Sequence, residues 1–557
     1  MKRYLTILAA LAVVSVSAGA QDMYYAELLS RNNYYGTARS IALGGAMTAL
    51  GGDLGSVTYN PAGSAVNDYC QFTVSPGLII SGVTASYDPT GMEAFTGGTK
   101  TDQTKFNLPN IGLNLVFFPS HSSWLTSFSF GVVANTANTY LSYSTGRGVN
   151  TETSFLGNLA NAAGGLSPSN FPLSMTAAYN ANQIGEYGPE GSNAYVGANQ
   201  VLRPDETYSY IPGALDQTSF YNTYGTKTDL VFNLGFNVGD RFYFGFNLGT
   251  PQLSYRREES FIERAQQPEA FPVIMYEGDN LVKTEYLNSS NGYKLNTEAQ
   301  GIYGRFGIIA LPTNNLRIGA AIQTPTLLRI TERWQYSAAA SYGDSYFNGS
   351  DIRTSDSYRY NLRTPYIFDA GIAYTVPGVG LLSIDYELTD YSKMKYSETE
   401  TNYFYEDVWA VTNYVNSLFC GASHSVRAGV EFKPLPFMAI RAGYSFTSDP
   451  EKWWKDADGN LVTAETWGGY NQILTESGRF TSDTHSVSFG LGFSTSGSFF
   501  ADCAVRYTAY PTTYYSPYYF DDYQAFDKSG RLLASLSPIE KINRHVIDTV
   551  VTLGWRF

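Results

Sequence analysis

The sequence predicts an all-β chain: a single transmembrane antiparallel β-barrel of about fourteen strands. Three observations carry that expectation, namely the composition, a period-two alternation sustained over long segments, and a strict alternation of short and long connections. Only 15% of the 557 residues are charged, against roughly 25% in soluble globular proteins. There are 45 Tyr, 33 Phe, 7 Trp and 53 Gly. Low charge with abundant aromatics excludes a disordered chain. A balance of 49 acidic against 36 basic residues, net −13, argues against a nucleic-acid partner.

Residues 1–20 read as an export signal. Lys2 and Arg3 form a positive start, and Leu5–Val16 is an apolar stretch too short to span a bilayer. Ala18-Gly19-Ala20 gives a small-residue cleavage pattern before Gln21. Cys70, Cys420 and Cys503 are widely spaced and odd in number, which excludes a fully paired disulfide framework and any CxxC metal or redox motif. No later run of 18 apolar residues predicts a membrane helix. A barrel needs none, because short alternating strands satisfy every backbone group against a neighbour.

The alternation is plain in Asp229–Val238, where Leu230, Phe232, Leu234, Phe236 and Val238 share one face with Asn233, Gly235 and Asn237 opposite. A two-residue turn at Gly239-Asp240 leads into Phe242, Phe244, Phe246 and Leu248, a hairpin with one apolar face. Similar faces occur at Ile111/Leu113/Leu115/Phe117, Val426/Ala428/Val430/Phe432 and Val487/Phe489/Leu491/Phe493. These segments run near ten residues or more, the length a tilted membrane strand requires. Strands of a soluble sandwich average about 5–6. Fourteen segments are read between 71–87 and 545–557, an even number as single-chain bacterial barrels have. Short turns such as Pro312–Asn315 and Pro434–Phe437 alternate with long excursions at 88–104, 143–227, 256–299, 330–363, 392–422, 448–483 and 511–544. Short inner turns with long outer loops mark an outer-membrane barrel. The last strand puts Ile547, Thr549, Val551, Leu553, Trp555 and Phe557 on one face, and its terminal aromatic resembles the signal read by the barrel-assembly machinery.

Residues 34–66 read as something other than a strand. Gly44-Gly45 interrupts a short helical period, Gly51-Gly52 ends it, and Asn60-Pro61 sets an extended turn. The glycines lack the Lys-Ser/Thr and preceding strand of a phosphate-binding loop. Gly36–Ala46, an acidic spacer and Tyr59–Gly63 resemble the N-terminal hatch of the FadL-type long-chain fatty-acid transporter family, which includes hydrocarbon channels. Leu108-Pro109, Thr364-Pro365 and the Arg-Ala-Gly triplets Arg427–Gly429 and Arg441–Gly443 add to the resemblance. It implies a signal peptide at 1–20, a hatch at 21–69 and a fourteen-stranded barrel at 70–557. Gly44, Gly45, Asn60, Pro61 and Ala62 would then form the hatch motif inside the lumen. Gly131 and Asn135 are candidate positions for a kink in the third strand, and loop 143–227 departs from the family in its length.

The implied activity is passive outer-membrane uptake of hydrophobic compounds, fatty acids or similar, with no covalent chemistry. An open porin needs sixteen to eighteen strands, and the globular plug of a TonB-driven receptor does not fit this length. The expected partners are hydrophobic small molecules and outer-membrane lipid; no cofactor is expected. Phe155, Leu156, Leu159, Phe171, Leu173 and Met175 in the longest loop are either an outer capture surface or the core of a loop subdomain. Arg427 and Arg441 face the lumen, where they attract a carboxylate head group or pair with acids such as Glu431. His121, His424, His485 and His545 form no catalytic or metal-binding pattern and read as loop or interfacial residues. Glu258-Glu259 and Asp521-Asp522 read as solvated faces. Two other functions stay open: a barrel that serves as a protein-interaction or secretion partner, and haem capture through Tyr or His.

Overall fold

The computed structural model describes residues 23–88, 99–120, 124–189, 191–203, 208–277, 280–399, 406–452, 454–455, 461–462, 483–495, 498–518 and 538–557. Residues 1–20, expected to be an export signal, and His121 and Asp521-Asp522 lie outside these residues.

One closed antiparallel barrel dominates the chain. Its strands are β1 (Gln71–Asp88), β2 (Thr99–Phe117), β3 (Leu125–Thr139, continued by Ser142–Asn150), β4 (Leu215–Val238) and β5 (Phe242–Ala265). Next come β6 (Asn280–Ala310), β7 (Leu316–Gln323 with Leu327–Tyr342), β8 (Tyr358–Arg363 with Ile367–Val376) and β9 (Gly380–Asp390 with Lys395–Glu398). The series ends with β10 (Ala422–Leu435), β11 (Met438–Thr447), β12 (Thr484–Ser494), β13 (Phe499–Ala509) and β14 (Ile539–Arg556). Each pairs with its neighbours in sequence, and β14 closes on β1 from Gln71↔Arg556 to Asp88↔Ile539. The expected fourteen strands are all present.

The alternating faces divide between lipid and lumen. Phe232 is 39% exposed and Leu234 43%, while Asn233 between them is fully buried inside the barrel. Gly239 and Asp240 both take positive φ, 60° and 56°, the type I′ geometry that matches strand twist. At the outer edge of the apolar belt, Tyr386 and Tyr444 hydrogen-bond the exposed His424 and His485 at 2.7 and 2.8 Å, and Tyr507 stacks on His545. Three of the four histidines are therefore outward-facing interfacial residues, paired with the aromatic girdle typical of membrane barrels.

The expected loops need one correction. Much of 143–227, 256–299 and 330–363 is strand: β4, β5 and β6 run 24, 24 and 31 residues, over twice the 9–11 that cross a bilayer. On β5 the outward face turns polar at Gln252 and, Ile262 apart, stays so through Arg264. Beyond the membrane neither face needs to be apolar, so the period-two signal fades while the ladder continues. Within this outer extension, helices α4 (Phe155–Ala163) and α5 (Leu173–Asn180) cap one side and α6 (Glu406–Phe419) another, numbered to follow three helices of the N-terminal segment.

That segment lies within the lumen. It comprises α1 (Met23–Ser30), α2 (Ala38–Ala42), α3 (Ser56–Tyr59) and a 3-10 turn over Pro61–Val66. Thr37 caps α2, its hydroxyl accepting from the Ser40 amide at 3.3 Å. Asp53 accepts from the Thr37 hydroxyl (2.6 Å) and the Gly55 amide (2.8 Å), which folds the segment back on itself.

Candidate functional site

The lumen is built in three levels. In the first, Asn60 caps the 3-10 turn. Its Oδ1 accepts from the Ala62 amide (3.0 Å), and its Nδ2 donates to Thr48 O (2.7 Å) and to Ile308 O of the β6 wall (3.0 Å). Pro61 O accepts from Asn233 (3.0 Å), and Ala62 is buried against Tyr243 and Ile309. The wall opposite Asn60 is Gly307, where a Cβ would overlap the Asn60 side chain. Gly44 and Gly45 hold φ of 64° and 79°, and Gly44 lies against the β11 backbone at Tyr444. Here the Arg-Ala-Gly triplets acquire a physical meaning. A Cβ at Gly429 would press on Leu43, and one at Gly443 would overlap the Gly44 amide. Two residues earlier on the same faces, Arg427 and Arg441 supply lumen charge.

Both arginines are paired. Arg441 bridges Glu431 (2.7 Å) and Asp502 (2.6 Å), and Glu431 also meets Arg39 of α2 at 3.2 Å. Arg427 pairs with Glu387 and approaches Asp369 at 3.5 Å, its guanidinium 5.0 Å over the Tyr59 ring. The structure separates the two: Arg441 locks the hatch to the wall, and Arg427 lines a small polar cavity of about 70 Å³ on the hatch with Tyr34, Tyr59, Ser425 and Arg506. Sequence reading missed Asp385, which accepts from the Thr48 amide at 2.6 Å, and the buried pair Arg305–Asp369. Only a lumen-facing charge at an alternating position could have signalled them.

The second level is apolar. Helix α1 packs against Leu253, Tyr255, Leu295, Leu328, Tyr360 and Trp409. Lys227 donates to the carbonyls of Leu29 (3.0 Å) and Ser30 (3.3 Å) at the helix C-terminus. The third level is a vestibule cavity of about 210 Å³ in the outer extension, lined by Phe155, Leu159, Phe261, Tyr293, Tyr336 and Tyr515, with Arg257 and Glu259. Leu156 and Met175 are buried in the cap core, and Phe171 packs on its edge. The longest loop is thus mainly a self-packed subdomain, with Phe155 and Leu159 turned to the cavity. The cap is pinned by buried Glu263, which accepts from the amides of Phe155 (3.0 Å) and Leu156 (3.4 Å) at the start of α4, from Gln217 (2.8 Å) and from Asn199 (3.0 Å). It lies well beyond the point where β5 leaves the apolar belt. Burial pushes its carboxyl up to about 7 against the pull of those four donors.

The wall itself is interrupted. The β2–β3 ladder stops at Asn110↔Asn135; above it, among the described residues, β3 continues its ladder with β4, with a register shift between Thr136 and Asn138, and meets β2 through side chains, the hydroxyls of Thr136 and Thr101 donating to Leu108 O and Tyr143 O. The backbone of the N-terminal segment lies along this edge, Asn33 and Tyr35 donating to Ala137 O (2.7 Å) and Thr136 O (2.9 Å). Asn135 therefore marks the discontinuity, whereas Gly131 lies within the regular ladder opposite Asn114.

Such a chain is an outer-membrane-type β-barrel whose N-terminal segment packs against the inner wall. Its fold is that of a solved FadL homologue from Pseudomonas aeruginosa, matched with a TM-score of 0.50 and 11% identity over 94% of this chain and 98% of that one. The Pseudomonas putida toluene transporter TodX and the CymD monoaromatic hydrocarbon channel align at TM-scores of 0.44 with 12% identity, over 94% of this chain and 98% and 99% of theirs. No protein-family model and no curated protein sequence matches the chain.

Proposed function

We propose that this barrel is a channel for passive uptake of hydrophobic small molecules across the outer membrane. The observation that carries the reading is the order of surfaces along the lumen. A cavity rimmed by aromatics is followed by an apolar compartment filled by α1, and the β2–β3 ladder ends at Asn110/Asn135, where the N-terminal segment covers the edge. An apolar solute gains roughly 25 cal/mol per Å² of surface taken from water, so each level offers it a dry foothold. The hatch below denies a water-filled path. Fatty acids are one ligand class; with Arg427, Arg441 and the vestibule's Arg257 all paired, the last with Glu259, their carboxylate would have to displace an existing ion pair. The fold shared with the FadL homologue supports the reading by analogy.

The experiment is reconstitution of the folded chain into liposomes, with uptake of labelled oleate and toluene measured beside permeation of glucose. Uptake of an apolar solute several-fold above protein-free vesicles, without sugar flux, is the expected result. Sugar flux through the folded barrel, or no gain for either apolar solute, would refute the channel.

A further inference from the structure

The outward face of β7–β9 carries a charge pattern that the channel reading leaves unexplained. Arg363 on β8 stands directly across from Lys395 on β9. On the other side it faces Leu327 of β7, and Arg329 is the diagonal neighbour. Arg359 and Arg333 continue the row outward, and all five side chains are exposed. Like charges directly opposite on a sheet face destabilise it. Glu298, across from Thr331 on β6, is the nearest acid in the register. Among the described residues no ion pair joins it, or any other acid, to these cations, while neighbouring Lys393 is already paired with Asp390 at 3.8 Å. In a chain of net charge −13, five clustered cations with one unbonded acid at their edge among the described residues call for an anion.

Their height in the wall says which anion. Immediately below them the surface turns to lipid: Leu327 is 58% exposed, and Tyr366 and Phe368 follow on β8. The cluster thus sits where acyl chains end and head groups begin. Guanidinium forks match the paired oxygens of a phosphate, and cations at such a surface attract anionic lipid.

We propose that the outer surface of β7–β9 is a docking site for a phosphate-bearing lipid of the outer leaflet, its phosphate held by Arg363, Lys395 and Arg329 and its acyl chains laid over Leu327 and Phe368. The lipid relieves the repulsion between Arg363 and Lys395, so the barrel is more stable with it than without.

The test is native mass spectrometry of the full chain in detergent with lipid A, the phosphorylated glucosamine amphiphile, and with the same lipid dephosphorylated. The double change Arg363→Gln and Lys395→Gln is expected to cut lipid A retention at least tenfold, about 1.4 kcal/mol. Lys100→Gln with Lys541→Gln, exposed on β2 and β14 across the barrel, leaves retention unchanged. The melting midpoint of the unaltered chain should rise with lipid A more than that of the double variant. Should the double variant not fold, Lys395→Gln alone carries the test with a loss of about threefold. Equal retention of lipid A by variant and parent, or equal retention of the dephosphorylated lipid, would overturn the proposal. So would millimolar inorganic phosphate that reproduces the whole stabilisation, which would assign the cluster to free phosphate. None of these readouts depends on transport, so a failed uptake assay leaves this site intact and a failed docking assay leaves the channel intact.

Discussion

Two regions of one lumen hold their occupants in opposite ways. Around the hatch the wall is Gly307, Gly429 and Gly443 with Asn233, Asp385 and Arg441, so the backbones meet and directional hydrogen bonds fix one position. Around α1 the wall is Leu, Tyr and Trp, and contact is mostly side-chain packing. A backbone seat accepts one partner because a missing hydrogen bond there stays unmet. An apolar seat is non-directional, so another apolar body of similar bulk can take the place of α1. The difference separates a part of the N-terminus held by directional backbone contacts from a part held by side-chain packing.

The strongest way to break that comparison is to fill a glycine seat. Gly443→Val should prevent docking of Gly44 and turn a closed barrel into a conducting one in planar-bilayer recordings. Deleting residues 23–30 should leave ion conductance near the closed level while raising apolar uptake. If both open the pore equally, the two regions do the same work.

Next in size, Arg441→Ala leaves Glu431 and Asp502 buried without their shared partner and should cost about 3–5 kcal/mol in urea unfolding of the detergent-folded barrel. Asn60→Ala removes one turn cap, the bond to Thr48 O within the hatch and the bond to Ile308 O of the wall, with an expected loss of about 1–3 kcal/mol. Substitution of Tyr255 by Phe in the α1 chamber should cost less than either, because it keeps the ring packing on Tyr25 and Tyr140 and removes a single hydroxyl contact, to Tyr221.

The smallest effect concerns the cap. The folded-state value of Glu263, about 7, lies above its unfolded value of about 4.3. The native state therefore holds a proton that the unfolded state releases in this window, and stability from this group falls as pH rises from about 4.3 to about 7. The thermal midpoint should decline across that range by more in the parent chain than in Glu263→Gln. Parallel pH profiles for the two would remove Glu263 as the cap's titrating contact.

The membrane belt was legible in the sequence because one face of each strand meets lipid and must be apolar: Phe232, Leu234 and Phe236 alternate with residues that meet the lumen. The same strands above the belt were read as loops, since Arg256, Glu258 and Ser260 face water and carry no alternation. The resemblance implies a hatch motif inside the lumen, and the alternation offers Glu431 as a partner for the lumen-facing arginines, which Arg441 takes; Glu387, Asp502 and Asp369 are ordinary lumen acids until the strands are set side by side.

By itself the amino-acid order determined strand number, which face is greasy and where the inner turns fall, since all three are written in local alternation and turn chemistry. Barrel closure between β1 and β14, the seating of Gly44 on Gly443, the break at Asn135 and the crowding of Arg363 against Lys395 were decided only in three dimensions. Each depends on the register between segments far apart in the chain, which no local pattern encodes.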